Sequence, residues 1–176
     1  MDVAFSVVFT GILLRRDLTT IPCPARGDQP RGGPGGGARG GYTVAVVKKV
    51  DPLVARRAVE AVERWVRDPE GAPAPARAEV ASAVRTSARL FAQGVPGHAV
   101  ELRVPPWVAV QCLEGPRHTR GTPPTVVEMN ALTWLRLAVG ETDYAAACAA
   151  GEVEASGVRA GEVARWLPLF RLGGSG

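Results

Sequence analysis

Histidine is nearly missing from this chain, cysteine is sparse, and aromatic residues make up only 6% of it. Each shortage closes off a class of function. Two histidines, His98 and His118, cannot supply the His-rich shells of most zinc sites. The three cysteines, Cys23, Cys112 and Cys148, are odd in number, far apart and at no metal-ligand spacing. They predict neither a disulfide framework nor a metal cluster, and buried, inert thiols in a reducing cytoplasm are the expectation. No Ser nucleophile elbow is present, and "GGPGGGARGG" lacks the preceding strand and the Lys-Ser/Thr of a phosphate loop. Charge of one sign is also thin. The net charge is +4, with five Arg against three Asp in residues 1–41 and 16 basic against 14 acidic residues in the rest. A surplus of +2 spread over the folded part lacks the basic stripe or patch that nucleic acid requires.

Long apolar runs are short of what a membrane needs. Val3–Leu14 ("VAFSVVFTGILL") falls well below the ~20 residues of a spanning helix. As a signal peptide its charges are inverted, because Asp2 precedes it and Arg15 and Arg16 follow it. The tract Pro24–Gly41 is Gly, Pro and Arg, which cannot bury enough surface to fold. Residues 1–45 are therefore expected to be a low-complexity appendage, from a start codon upstream of the true one; the alternative is a membrane-tethering leader. Residues 46–171 are expected to fold, and residues 172–176 to form a flexible tail.

What is present is 46% apolar and 22% charged, in ordinary globular proportion. Asp51–Pro52 predicts a helix start, with Val54, Ala58, Ala61, Val62 and Trp65 at helical spacing. After a Pro-rich break at 67–76, a second helix is expected over 76–93 with Val80, Val84, Ala88 and Phe91 inward and Gly94 as its stop. The period then drops to two. Val100, Leu102 and Val104 alternate with Glu101 and Arg103, and after Pro105–Pro106 the run Trp107–Leu113 makes a second, antiparallel strand. Thr125–Met129 is a third strand. Asn130 caps a helix over 131–139, ended by Gly140. Thr142 or Asp143 begins a short helix, Glu152–Val158 is strand-like, and a last helix is expected over 161–170 with Val163, Trp166, Leu167 and Phe170 inward. The fold class is α/β of mixed order. The small residues Ala145, Ala146, Ala147, Ala149 and Ala150 let their helix pack closely on a sheet or leave a cavity beneath larger neighbours.

The loop Glu114-Gly-Pro-Arg117-His118-Thr119-Arg120-Gly121 gathers the ionisable residues worth attention. Arg forks grip carboxylate or phosphate, and a histidine such as His118 can serve as acid or base near neutral pH. The loop has no nucleophile and no carboxylate at a spacing that would orient His118, so a clamp in which Glu114 ties down an Arg, or the lining of a ligand mouth, is the expectation over catalysis.

The stretch "VELRVPPWVAVQCLEGPRHTRGTPPTVVEMNALTWLRLAVG" resembles the small actinobacterial proteins termed bacterial sterol-carrier-protein orthologues, and Leu132–Phe170, punctuated by Gly140, Gly151 and Gly157, is similar to the C-terminal half of the sterol-carrier-protein fold. The resemblance covers Lys48 to Phe170. It implies a mixed, largely antiparallel sheet of about 4–5 strands with helices packed on one face, around an apolar tunnel for a fatty-acyl or sterol-like molecule. It implies a binding protein rather than an enzyme, with no cofactor, no metal, no nucleic acid and no stable membrane insertion. Trp107, Val110, Trp134, Leu135, Trp166 and Phe170 are the expected lining, with Arg117, His118 and Arg120 near the mouth. The same fold also accompanies mycothiol-dependent isomerase-like enzymes, whose metal-binding helical domain this sequence lacks. An accessory domain or subunit of such an enzyme, with the Arg/His loop on an anionic substrate, is the alternative. A third is an interaction domain whose pocket is filled by its own side chains.

Overall fold

The computed structural model describes residues 49–115 and 125–172. The expected N-terminal appendage and residues 173–176 lie outside the described residues, and so do Arg117, His118 and Arg120. The elements are α1 (Pro52–Glu60), α2 (Glu63–Arg67), α3 (Arg77–Gly94), β1 (Val100–Val104), β2 (Val108–Cys112), β3 (Thr125–Met129), α4 (Ala131–Val139), α5 (Tyr144–Ala149), β4 (Val153–Ser156) and a 3-10 helix (Ala160–Trp166).

Local chemistry explains most boundaries. Asp51 accepts a hydrogen bond from the Leu53 N–H at 2.8 Å with Pro52 in the first turn, and Asn130 accepts from Thr133 at 2.9 Å. The Ala76 N–H donates to the Glu79 carboxylate at 2.8 Å, which satisfies a donor that the start of α3 would otherwise leave open. Gly140 ends α4 at φ +81°. The first two helical expectations need correction. The first helix breaks at Ala61–Val62, and its buried stripe is Ala55, Val59, Val62 and Val66, while Val54 is exposed. Both stripes are apolar in this Ala- and Val-rich segment, so periodicity alone does not choose between them. Gly94 belongs to α3, and the chain leaves the helix at Val95, at φ −133° and ψ 65°, rather than through a left-handed glycine.

The sheet order is β2-β1-β3-β4. β1 and β2 form the expected antiparallel hairpin, with Leu102 opposite Val110. β3 lies on the other side of β1 and parallel to it, and β4 returns antiparallel on β3. The two strand ends that the β2–β3 connection joins therefore stand on either side of Val100, which pairs with both Cys112 and Thr125.

Strand alternation makes the sheet two-faced. Val100, Leu102, Val104, Val110, Cys112, Val127, Met129 and Val153 point into the core, while Glu101, Arg103, Gln111, Glu128 and Glu154 stay at least partly exposed on the outer face. The helices cover the inner face. There the Trp134 Nε1–H donates to the Ser87 hydroxyl at 2.8 Å, and the ring meets Phe91 edge-on at 5.8 Å. Of the α5 alanines only Ala147 is fully buried. Among the described residues no helix is long and apolar enough to cross a membrane.

Candidate functional site

The sequence directs attention to the loop between β2 and β3, and the structure shows how its first residues are held. The Leu113 N–H donates to Val95 O at 2.9 Å, and its carbonyl accepts from the Ala99 N–H at 3.0 Å. Leu113 takes φ +63°, a conformation that a branched residue adopts only when its neighbours impose it. One step on, the Glu114 carbonyl accepts from Arg159 Nη2 at 2.8 Å. The same guanidinium closes a fork on Glu162, at 2.8 Å to each carboxylate oxygen. Gly115 lies directly under it: a Cβ there would run into Arg159 Nη1 and come within 2.9 Å of the Ala99 methyl.

The arginines of the expected Glu114–Arg clamp lie outside the described residues, and a different tie is seen among the described ones. The main-chain carbonyl of Glu114 is tied down, and the arginine comes from 45 residues further along the chain. Sequence reasoning missed Arg159. Its i,i+3 pairing with Glu162 was readable, but its reach to β2 depends on topology. The hydrogen bond from Arg159 holds the Glu162 carboxyl below its ordinary range, and the reverse contact raises Arg159. A carboxylate depressed in the fold contributes stability above its unfolded pKa and loses it as pH falls through the folded value. Glu162→Gln is therefore expected to melt below the wild type above the ordinary Glu range, with the gap closing as pH falls below that range. Thermal melts of both proteins across this range check it; a gap independent of pH would remove the ionic pin.

The expected lining residues separate into three groups. Val110, Trp134, Leu135 and Phe170 are buried and belong to one core cluster. Trp107 is half-buried in the turn between β1 and β2, with Arg77 5.3 Å above its ring and its carbonyl accepting from Arg85 Nε at 3.2 Å. That turn is at the opposite end of the hairpin from the loop, about 13 Å away at the rise of a strand. Trp166 is 46% exposed. The expected terminal α-helix is instead a 3-10 turn that stops at Trp166, after which the chain extends through Pro168. The apolar stripe is broken there, and Leu169 and Phe170 re-enter the core with both N–H groups on Ala138 O at 2.8 and 2.9 Å.

The polar chemistry of this interior is modest. The buried polar side chains among the described residues are Ser87, Thr125 and Thr133. Ser87 donates to Ala83 O at 2.6 Å and accepts from Trp134. Burial pushes the Cys112 thiol up to about 12, far from a reactive thiolate at neutral pH. Among the described residues no cluster of three His, Cys, Asp or Glu could hold a metal ion. A cleft of about 330 Å³ beside Trp65, Pro73 and Pro75 contains none of the residues expected to bind ligand.

The profile of the family described as bacterial SCP ortholog matches residues 76–169, from the edge of α3 to Leu169. The chain belongs to the bacterial SCP ortholog family. The match spans the whole sheet and the helices that cover it, so the sterol-carrier-protein-like fold read from the sequence and the observed four-stranded mixed sheet agree. Membership suggests a lipid-binding carrier role of the generally non-catalytic kind. No curated protein matches the sequence.

Proposed function

We propose that this protein carries a fatty-acyl or sterol-like molecule without transforming it. The observation that carries the reading is family membership over the span that builds the helix-covered sheet. The interior chemistry supports it: between β1, β2, α3 and α4 the core cluster is aliphatic and aromatic apart from the Cys112 thiol, and the Ser87 hydroxyl is already committed. Apolar area removed from water is the main source of affinity for such a ligand, at about 25 cal/mol per Å² before the costs of association.

In this reading Val110, Leu135 and Phe170 line the accepting space and Trp134 is its wall. The arginines of the β2–β3 connection, Arg117 and Arg120, with His118 beside them, take an anionic head group by charge-assisted hydrogen bonds. Trp107 packs on the edge of that core at the far end of the hairpin, and Trp166 is exposed. Native mass spectrometry of gently purified protein, followed by lipid extraction, tests the proposal. Bound acyl-chain mass is expected, and Arg117→Ala with Arg120→Ala is expected to weaken a fatty-acid probe at least about tenfold at an unchanged melting temperature. A clean apo mass with no uptake of a fatty-acid probe would sink the idea.

A further inference from the structure

Four of the described arginines hold a carboxylate, and three of those that do not lie on α3. Arg56, Arg67, Arg103 and Arg159 each hold a carboxylate. Arg77, Arg85 and Arg89, all exposed on α3, have no carboxylate partner among the described residues. The acid on α3, Glu79, is turned back to the Ala76 N–H. Two of these cations converge on one apolar feature: Arg77 lies over the Trp107 ring and Arg85 holds the Trp107 carbonyl. Arg89 continues the row one turn beyond Arg85. The turn itself presents Pro105 and Pro106 to solvent with Trp107 half-buried behind them. Two guanidinium groups without a carboxylate partner thus flank a Pro-Pro-Trp tip, and a third follows one turn further along α3.

We propose that α3 and the β1–β2 turn form a docking surface for an anionic lipid bilayer, with Arg77, Arg85 and Arg89 against the head groups and Pro105, Pro106 and Trp107 at the acyl boundary. Uncompensated cations match an anionic surface, and an amphipathic indole beside exposed prolines suits the boundary between water and hydrocarbon. Nucleic acid fits less well. A base would need a free aromatic face, and Arg77 occupies one face of Trp107. The surface takes its purpose from the carrier reading, since a carrier must meet the membrane it serves, but its test does not depend on a bound ligand.

The experiment is co-sedimentation of the full chain with vesicles of phosphatidylcholine alone or with phosphatidylglycerol, at low and high salt. Binding is expected on anionic vesicles only, falling with salt. Each arginine near such a surface contributes roughly fivefold, so Arg85→Glu with Arg89→Glu is expected to reduce partitioning by more than about tenfold. Both side chains are exposed; losing the Arg85 bond to the Trp107 carbonyl should lower the melting temperature only slightly, and fatty-acid uptake should stay unchanged. Variant binding as tight as wild type overturns the surface and moves the contact elsewhere, the arginines of residues 1–41 included. Equally tight, equally variant-sensitive capture by duplex DNA also overturns it, as a general polyanion response. Fatty-acid uptake without vesicle binding overturns the surface and leaves the carrier standing. Vesicle binding through Arg85 and Arg89 by a clean apo protein supports the surface and removes the carrier.

Discussion

Replacing Trp134 by alanine is expected to lower the free energy of unfolding by about 3–5 kcal/mol, the range for deleting a large aromatic side chain from a packed core. The indole is fully buried, its ring stands edge-on to Phe91 at 5.8 Å with 79° between the planes, and its N–H is satisfied by Ser87. Alanine removes the apolar area, the aromatic pair and the donor together, and it leaves a cavity between α3, α4 and the sheet. At 2–4 °C per kcal/mol for a domain of this size, the melting temperature should fall by roughly 10 °C. Trp134→Phe separates the terms: it keeps most of the volume but leaves the Ser87 hydroxyl without its donor, which should cost about 1 kcal/mol. Denaturant titration of the three proteins measures both. The same series bears on the carrier proposal. A loss under about 1.5 kcal/mol for Trp134→Ala would mean that the indole borders space already open to a ligand, because little packing would then be lost.

Much of this fold was legible because its local signals agree with one another. The alternation of Val100, Leu102 and Val104 with charged neighbours has one reading, and Asp51, Asn130 and Asp143 cap the helices they precede. What escaped the sequence depends on distant partners. The parallel pairing of β1 with β3 is set by where the β2–β3 connection lands, and no residue of either strand encodes it. The terminal helix failed because apolar spacing at Val163, Trp166, Leu167 and Phe170 fits an α-helix, whereas Pro168 cannot donate to one and the chain turns extended before it. The site divides the same way. The loop drew attention through its residues Glu114 to Arg120, of which Glu114 and Gly115 are among the described ones. Its anchoring by Arg159 could not be read, because the two lie far apart in sequence and meet only after β4 has brought the 3-10 segment beside the β2 exit.

The second large effect is expected at Gly97, where Gly97→Ala should cost more than about 3 kcal/mol. Gly97 takes φ +153°, and a Cβ there would fall onto the Leu113 carbonyl and 2.5 Å from the Glu114 nitrogen. The obstacle is backbone on backbone, so no side chain can rotate away. Relief would require separating the segment before β1 from the β2 exit. That movement breaks the Leu113–Val95 and Ala99–Leu113 hydrogen bonds and exposes Leu113, only 4% of which is accessible. Backbone strain of ~1–3 kcal/mol and overpacking of ~1–3 kcal/mol set the magnitude. Gly94→Ala, three residues earlier, is the control. An added methyl there meets nothing within 4 Å, and the residue is helical, so a gain of about 0.5–1 kcal/mol is expected. Opposite signs from two glycines so close in sequence would show that the cost at Gly97 is local to the β2 exit. If Gly97→Ala still folds, its binding of a fatty-acid probe becomes informative. The displaced segment carries the Glu114 carbonyl that Arg159 holds, so a loss of affinity beyond the loss of stability would link that anchor to the ligand mouth.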